Sequence, residues 1–170
     1  MPTTTVNPSA NTTPDAGQGG TAVTGSSNTG HASTVATGAG ASSQTKTDIW
    51  TGFPAAPAGT ITAMALKVGF TRTGTLSDGG AGTSNQFRLQ YSTNSGGAWT
   101  TIRDDTLVES SLSGTDTVSL STSQNLTTVQ VRGLVKASGV IGETATLTAT
   151  VSDIRIQITQ PGANVPIVMM

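Results

Sequence analysis

Met64, Leu66, Val68 and Phe70 alternate with Ala65, Lys67 and Gly69, a period of two that sets four large apolar side chains on one face of an extended strand. Thr71 to Thr75 can extend it. The same period returns in Phe87, Leu89 and Tyr91 against Gln86, Arg88 and Gln90, in Val129 to Val135, in Ala145 to Val151, and in Ile154 to Ile158; Val118 to Leu120 is a shorter piece. Between these runs lie turn residues: Asp78-Gly79-Gly80-Ala81-Gly82, Thr93 to Gly97, and Gly139 to Gly142. No window carries a 3.6-residue period. About seven or eight strands in roughly 110 residues match the ~8–12-residue spacing of a sandwich or barrel. The returns are too short for parallel crossovers. The expected fold is therefore all-β, an antiparallel β-sandwich of jelly-roll or immunoglobulin-like type.

Composition divides the chain. Thr, Ser and Gly number 33, 18 and 21, or 72 of 170 residues, and they crowd the N-terminal stretch. Residues 1–47 contain no aromatic residue, no Leu or Ile, and one carboxylate, Asp15. Such a segment cannot by itself bury enough apolar surface to offset an ordering cost of about 1–2 kcal/mol per residue. It is expected to be an extended low-complexity N-terminal arm held by a partner surface, and its deletion is expected to leave a folded domain. Ile49, Trp50 and Phe53 mark the entrance of that domain, residues 48–160. Residues 161–170 form a tail ending Pro166-Ile167-Val168-Met169-Met170, apolar where chains usually end polar.

The chemistry of catalysis is scarce. There is no Cys and a single His, His31, set among Gly, Ser and Thr; charged residues are 10% of the chain and the net charge is −1. No Gly-x-Ser-x-Gly elbow or Ser-His-Asp set occurs, so no catalytic residue, cofactor site or metal site is expected and the chain reads as a non-enzyme. Asp104-Asp105 with Glu109, and Asp78, are the candidate oxygen donors for Ca²⁺, which takes six to eight; loop carboxylates without a ligand are the simpler expectation. The charge gives no field for nucleic acid. No run of 18 apolar residues spans a membrane, and no secretory leader is evident at Met1-Pro2-Thr3-Thr4-Thr5. Trp99 and Tyr91 are assigned to the core, Trp99 lying across the hairpin from Tyr91. Trp50, Phe53, Ile167, Val168, Met169 and Met170 are the candidate partner contacts.

The segment Phe87-Arg88-Leu89-Gln90-Tyr91-Ser92-Thr93-Asn94-Ser95-Gly96-Gly97-Ala98-Trp99-Thr100-Thr101-Ile102 resembles the F-x-L-Q-Y-S-x-N-G-G-x-W-x-x-(I/V) stretch of β-sandwich structural proteins of tailed bacteriophages and related bacterial surface modules. Ser95 is an insertion relative to that pattern. The resemblance implies a virion structural protein of decoration, head-fibre or tail-appendage type, with other virion proteins and copies of itself as partners and the virion as its location. A tail or fibre component, or an adhesin module binding a cell-surface glycan, is the alternative.

Overall fold

The computed structural model describes residues 1–12, 31–36, 42–77 and 82–162. They form two antiparallel sheets with no α-helix among the described residues. The strands are β1 (Thr3–Val6), β2 (Ala10–Thr12), β3 (His31–Ala36), β4 (Ser42–Thr51), β5 (Ala63–Leu76), β6 (Ser84–Ser92), β7 (Thr100–Thr106), β8 (Leu112–Leu120), β9 (Gln130–Gly139) and β10 (Thr144–Thr159), with one 3₁₀ turn at Leu126–Thr128. The first sheet runs β1-β10-β5-β8, with β3 beside β1 on the same edge of β10. The second runs β2-β4-β9-β6-β7. Strand pairing is nested about the β6–β7 hairpin: β6 with β7, β5 with β8, β4 with β9, β3 with β10.

The described parts of the stretch expected to be an extended arm are built into this pairing. Thr3–Val6 lies along Ile156–Thr159, His31–Ala36 along Thr144–Ala149, and Ser42–Trp50 along Val131–Gly139. The boundary placed between residues 47 and 48 therefore falls inside β4. Strand addition needs main-chain donors and acceptors, not large side chains, so a Thr- and Ser-rich segment can complete a sheet whose apolar face is supplied by other strands. The partner surface required by residues 1–47 is, for their described part, the chain's own sheet edges.

The core lies between the sheets. Leu66, Phe87, Leu89, Leu147, Ile156 and Ile158 are each 0% exposed. Phe70 and Phe87 meet from opposite sheets with ring centroids 5.6 Å apart and planes tilted by 38°, within the favourable range for aromatic pairs. β10 buries Ala145, Leu147, Ala149 and Val151, then Ile154, Ile156 and Ile158, so its inward set changes from odd to even numbers. A bulge between Ser152 and Arg155 makes the change, with Asp153 at φ 52 and paired to Arg155. One extra residue restores the apolar face that the shift would otherwise turn to solvent.

A polar tie also crosses the core. Asn85 of β6, 2% exposed, donates from Nδ2 to the Val108 carbonyl at 2.8 Å and to the Thr146 carbonyl of β10 at 3.2 Å, and its Oδ1 accepts from the Val108 amide. Gly74 makes room for it: a Cβ there would stand 2.3 Å from the Val108 carbonyl oxygen and 2.9 Å from Asn85 Nδ2. Gly74→Ala is expected to displace this loop and cost about 1–3 kcal/mol, the range for orphaning a buried polar group, measured as a lowered urea midpoint. An unchanged midpoint would mean the loop shifts freely.

Candidate functional site

Sequence alternation leaves the outer face of the second sheet polar, and the hairpin decides what stands on it. β7 carries a bulge at Ile102, because Leu89 lies opposite Arg103 while Gln90 lies opposite Thr101. Without it, Trp99, Thr101, Arg103 and Asp105 would share one face. With it, Thr101 stays outside, where it accepts from Gln90 Nε2 at 3.3 Å, while Arg103 and Asp105 turn inward. Trp99 stands outside as well, half-buried beneath the Arg132 guanidinium, which lies 4.2 Å from the ring centroid. The assignment of Trp99 to the core is therefore corrected: Thr100, not Trp99, stands opposite Tyr91, so Trp99 takes the face opposite to Tyr91. Tyr91 is half-buried against the core, as expected.

The inward charges close the open side of the sandwich. Arg103 of β7 binds Asp116 of β8 through Nε at 2.7 Å and Nη2 at 2.8 Å, while Nη1 reaches Asp105 at 3.2 Å. Its guanidinium lies 4.3 Å from the Phe70 ring centroid. Arg72 of β5 crosses from the first sheet to Asp105 at 2.8 Å. The hydrogen bond to Asp116 raises the Arg103 guanidinium above its ordinary pKa, against the desolvation that lowers it. Inward-pointing charges on edge strands keep such edges from pairing with other chains. These carboxylates do not form a Ca²⁺ cage: Asp104 and Asp105 are neighbours on a strand and point to opposite faces, and no group of three or more His, Cys, Asp or Glu able to hold a metal occurs among the described residues. Asp78 lies outside the described residues. His31 contributes a backbone position opposite Ala149.

On the outer face, Arg88 binds Asp104 at 2.8 Å and Gln86 Nε2 donates to the same carboxylate at 2.6 Å. Burial pushes the Asp104 carboxyl up, but hydrogen bonds from Arg88 and Gln86 and the charge of Arg88 outweigh it, so its pKa falls below 3.8. A depressed carboxylate stabilises the fold above its unfolded pKa and loses that contribution as pH falls through the folded value. Asp104 is thus expected to add a small part to the loss of stability below about pH 4, and Asp104→Asn is expected to make that loss slightly less steep in thermal melts taken across that range. An acid limb of unchanged slope in the variant would show that Asp104 contributes nothing to it.

Arg132 differs from its neighbours. Both Nε and Nη2 donate to Gln90 Oε1, at 3.1 and 2.5 Å, and no carboxylate pairs with it among the described residues. Desolvation lowers its pKa, and the nearby Arg88 lowers it further. The loop beside Trp99 is rigidly tied: Ser92 Oγ accepts from the Asn94 and Gly96 amides, Asn94 Oδ1 accepts from the Ala98 amide, and the Ser95 amide donates to the Thr128 carbonyl. The inserted Ser95 takes the left-handed conformation itself, at φ 58, ahead of Gly96 at φ 86.

Trp50 and Phe53 do not reach a partner surface; each is 2% exposed in the core. The Trp50 ring lies over Gly133, where an added Cβ would sit 3.3 Å from it. Ile167, Val168, Met169 and Met170 lie outside the described residues. Sequence reasoning missed Arg132 and Gln90 as a unit. Their signal is the alternation that sets Arg88, Gln90 and Arg132 outward on adjacent strands, with Gln90 directly opposite Arg132. Comparison with known proteins finds no matching family model, no matching curated protein and no matching solved structure.

Proposed function

We propose that this chain is a non-enzymatic structural protein of a virus particle, a jelly-roll subunit of the decoration or cement type. The observation that carries this reading is the nested strand order, β3-β10-β5-β8 facing β4-β9-β6-β7, which favours a jelly roll over an immunoglobulin-like sandwich. Jelly rolls of eight strands recur in viral capsid and lectin domains, an inference by fold analogy. The hairpin at the centre of the nest is the Phe87 to Ile102 segment that resembles the phage proteins. Attachment in this reading does not depend on a free arm. Leu107, Leu112 and Ile141, at 53%, 39% and 68% exposure, sit at the end of the sandwich that carries the β7–β8 and β9–β10 connections, and they offer an apolar contact to a neighbouring subunit. The test is immunogold labelling and peptide mass analysis of purified particles. Labelling of the particle surface is expected, and a protein absent from washed particles would contradict the reading. A second reading, a tail or adhesin module that grips a cell-surface glycan, is favoured by the outward Trp99 beside Arg132.

A further inference from the structure

We propose that the outer face of the second sheet, centred on Arg132, Trp99 and Gln90, binds a carboxylate-bearing saccharide; this rests on the glycan-binding reading and specifies its chemical class. Trp99, half-buried with the Arg132 guanidinium over its ring, leaves only the uncovered part of that ring as an apolar surface beside side chains that hydrogen-bond, the combination that a sugar ring with apolar C–H faces and polar edges requires. The charge on this face then selects the ligand. Arg88, Arg132 and Lys136 all project outward from β6 and β9, against a single carboxylate among the described residues, that of Asp104, which Arg88 already engages. The face is therefore cationic on a chain of net charge −1.

Arg132 has no carboxylate partner among the described residues. Trp99 and Gln90 fix its guanidinium in place, and its Nη1 makes no hydrogen bond among the described residues. A desolvated guanidinium beside a second guanidinium is an unfavourable arrangement that an anion relieves. Because the fork is already oriented, a planar carboxylate meets it with little further ordering. From Arg132 to Lys136 the strand advances roughly 13 Å at ~3.3 Å per residue, the scale of a short oligosaccharide. Nucleic acid fits less well, since a phosphate backbone calls for a longer cationic track without a carboxylate in its midst.

The experiment is calorimetric titration of the full chain with tetragalacturonate and sialyllactose, with cellotetraose and lactose as neutral counterparts, and with a single-stranded oligonucleotide. At least one acidic sugar is expected to bind at least tenfold more tightly than its neutral counterpart, and Arg132→Gln is expected to remove that preference while leaving the melting temperature within a few degrees. Equal binding of acidic and neutral sugars would overturn this inference and leave glycan binding standing. No binding of any sugar would overturn both. Preferential binding of the oligonucleotide would replace the saccharide by nucleic acid.

Discussion

Deleting residues 1–47 is expected to abolish cooperative folding. The truncation removes β1, β2, β3 and six of the ten residues of β4, Ser42 to Thr47. It strips one edge of β10 along Thr144–Ala149 and Ile156–Thr159, and one edge of β9 along Leu134–Gly139, leaving them paired only with β5 and β6 on the other side. Those backbone groups then sit at raw edges over an apolar core. At roughly 0.5–1.5 kcal/mol net for each ladder hydrogen bond, plus lost cover over buried side chains, the sum approaches the ~5–15 kcal/mol that holds a domain together. Circular dichroism melts and gel filtration would show a chain without a sharp transition and prone to associate through its exposed edges. A soluble truncated protein that melts within a few degrees of the full chain would return residues 1–47 to the role of a separate arm.

The second large effect is expected at Phe87. Its ring is 0% exposed and stacks on Phe70 between the sheets, so Phe87→Ala should cost about 3–5 kcal/mol, the range for emptying a buried aromatic site. Trp99→Ala should cost only about 1 kcal/mol, because its ring lies on the outer face and its specific contact is the Arg132 cation, worth roughly 0.5–1 kcal/mol at an exposed position. Denaturant melts of the two variants side by side decide the matter. Comparable losses would place Trp99 in the core after all and remove the aromatic platform from the outer face.

The contrast between those two residues shows how far the sequence could be read. Where apolar side chains alternate without interruption, as from Met64 to Phe70 and from Phe87 to Tyr91, strand and inward face were both legible, since burial of one face enforces a period of two. The hairpin return at Thr93 to Gly97 was legible from its turn residues. Parity changes were harder. The switch from Val151 to Ile154 is written in the sequence and implies a bulge, but it reads equally well as the end of one strand and the start of another, and the structure makes it one strand of sixteen residues. The side taken by Trp99 has no comparable mark, because Thr100 and Thr101 are too alike to reveal which of them stands inward opposite Tyr91. The strands β1 to β4 were hidden for a different reason. Thr, Ser and Ala in an edge strand are held by main-chain bonds to a partner distant in sequence, and composition carries no trace of that partner. The outer-face site was half visible: the alternation shows Arg88 and Gln90 outward, but the stacking of Arg132 on Trp99 depends on the register that sets Thr100 opposite Tyr91.

Native-state hydrogen exchange on the isolated, monomeric chain tests most directly whether the polar N-terminal stretch belongs to the sandwich. Hydrogen-bonded amides of Thr3–Val6 and Ser42–Trp50 are expected to be protected, with those of β4 approaching the protection of β9 and β6, since all three exchange only when the second sheet opens. Exchange of those N-terminal amides at unprotected rates, with β6, β9 and β10 still protected, would contradict it and show a sandwich complete without its first four strands.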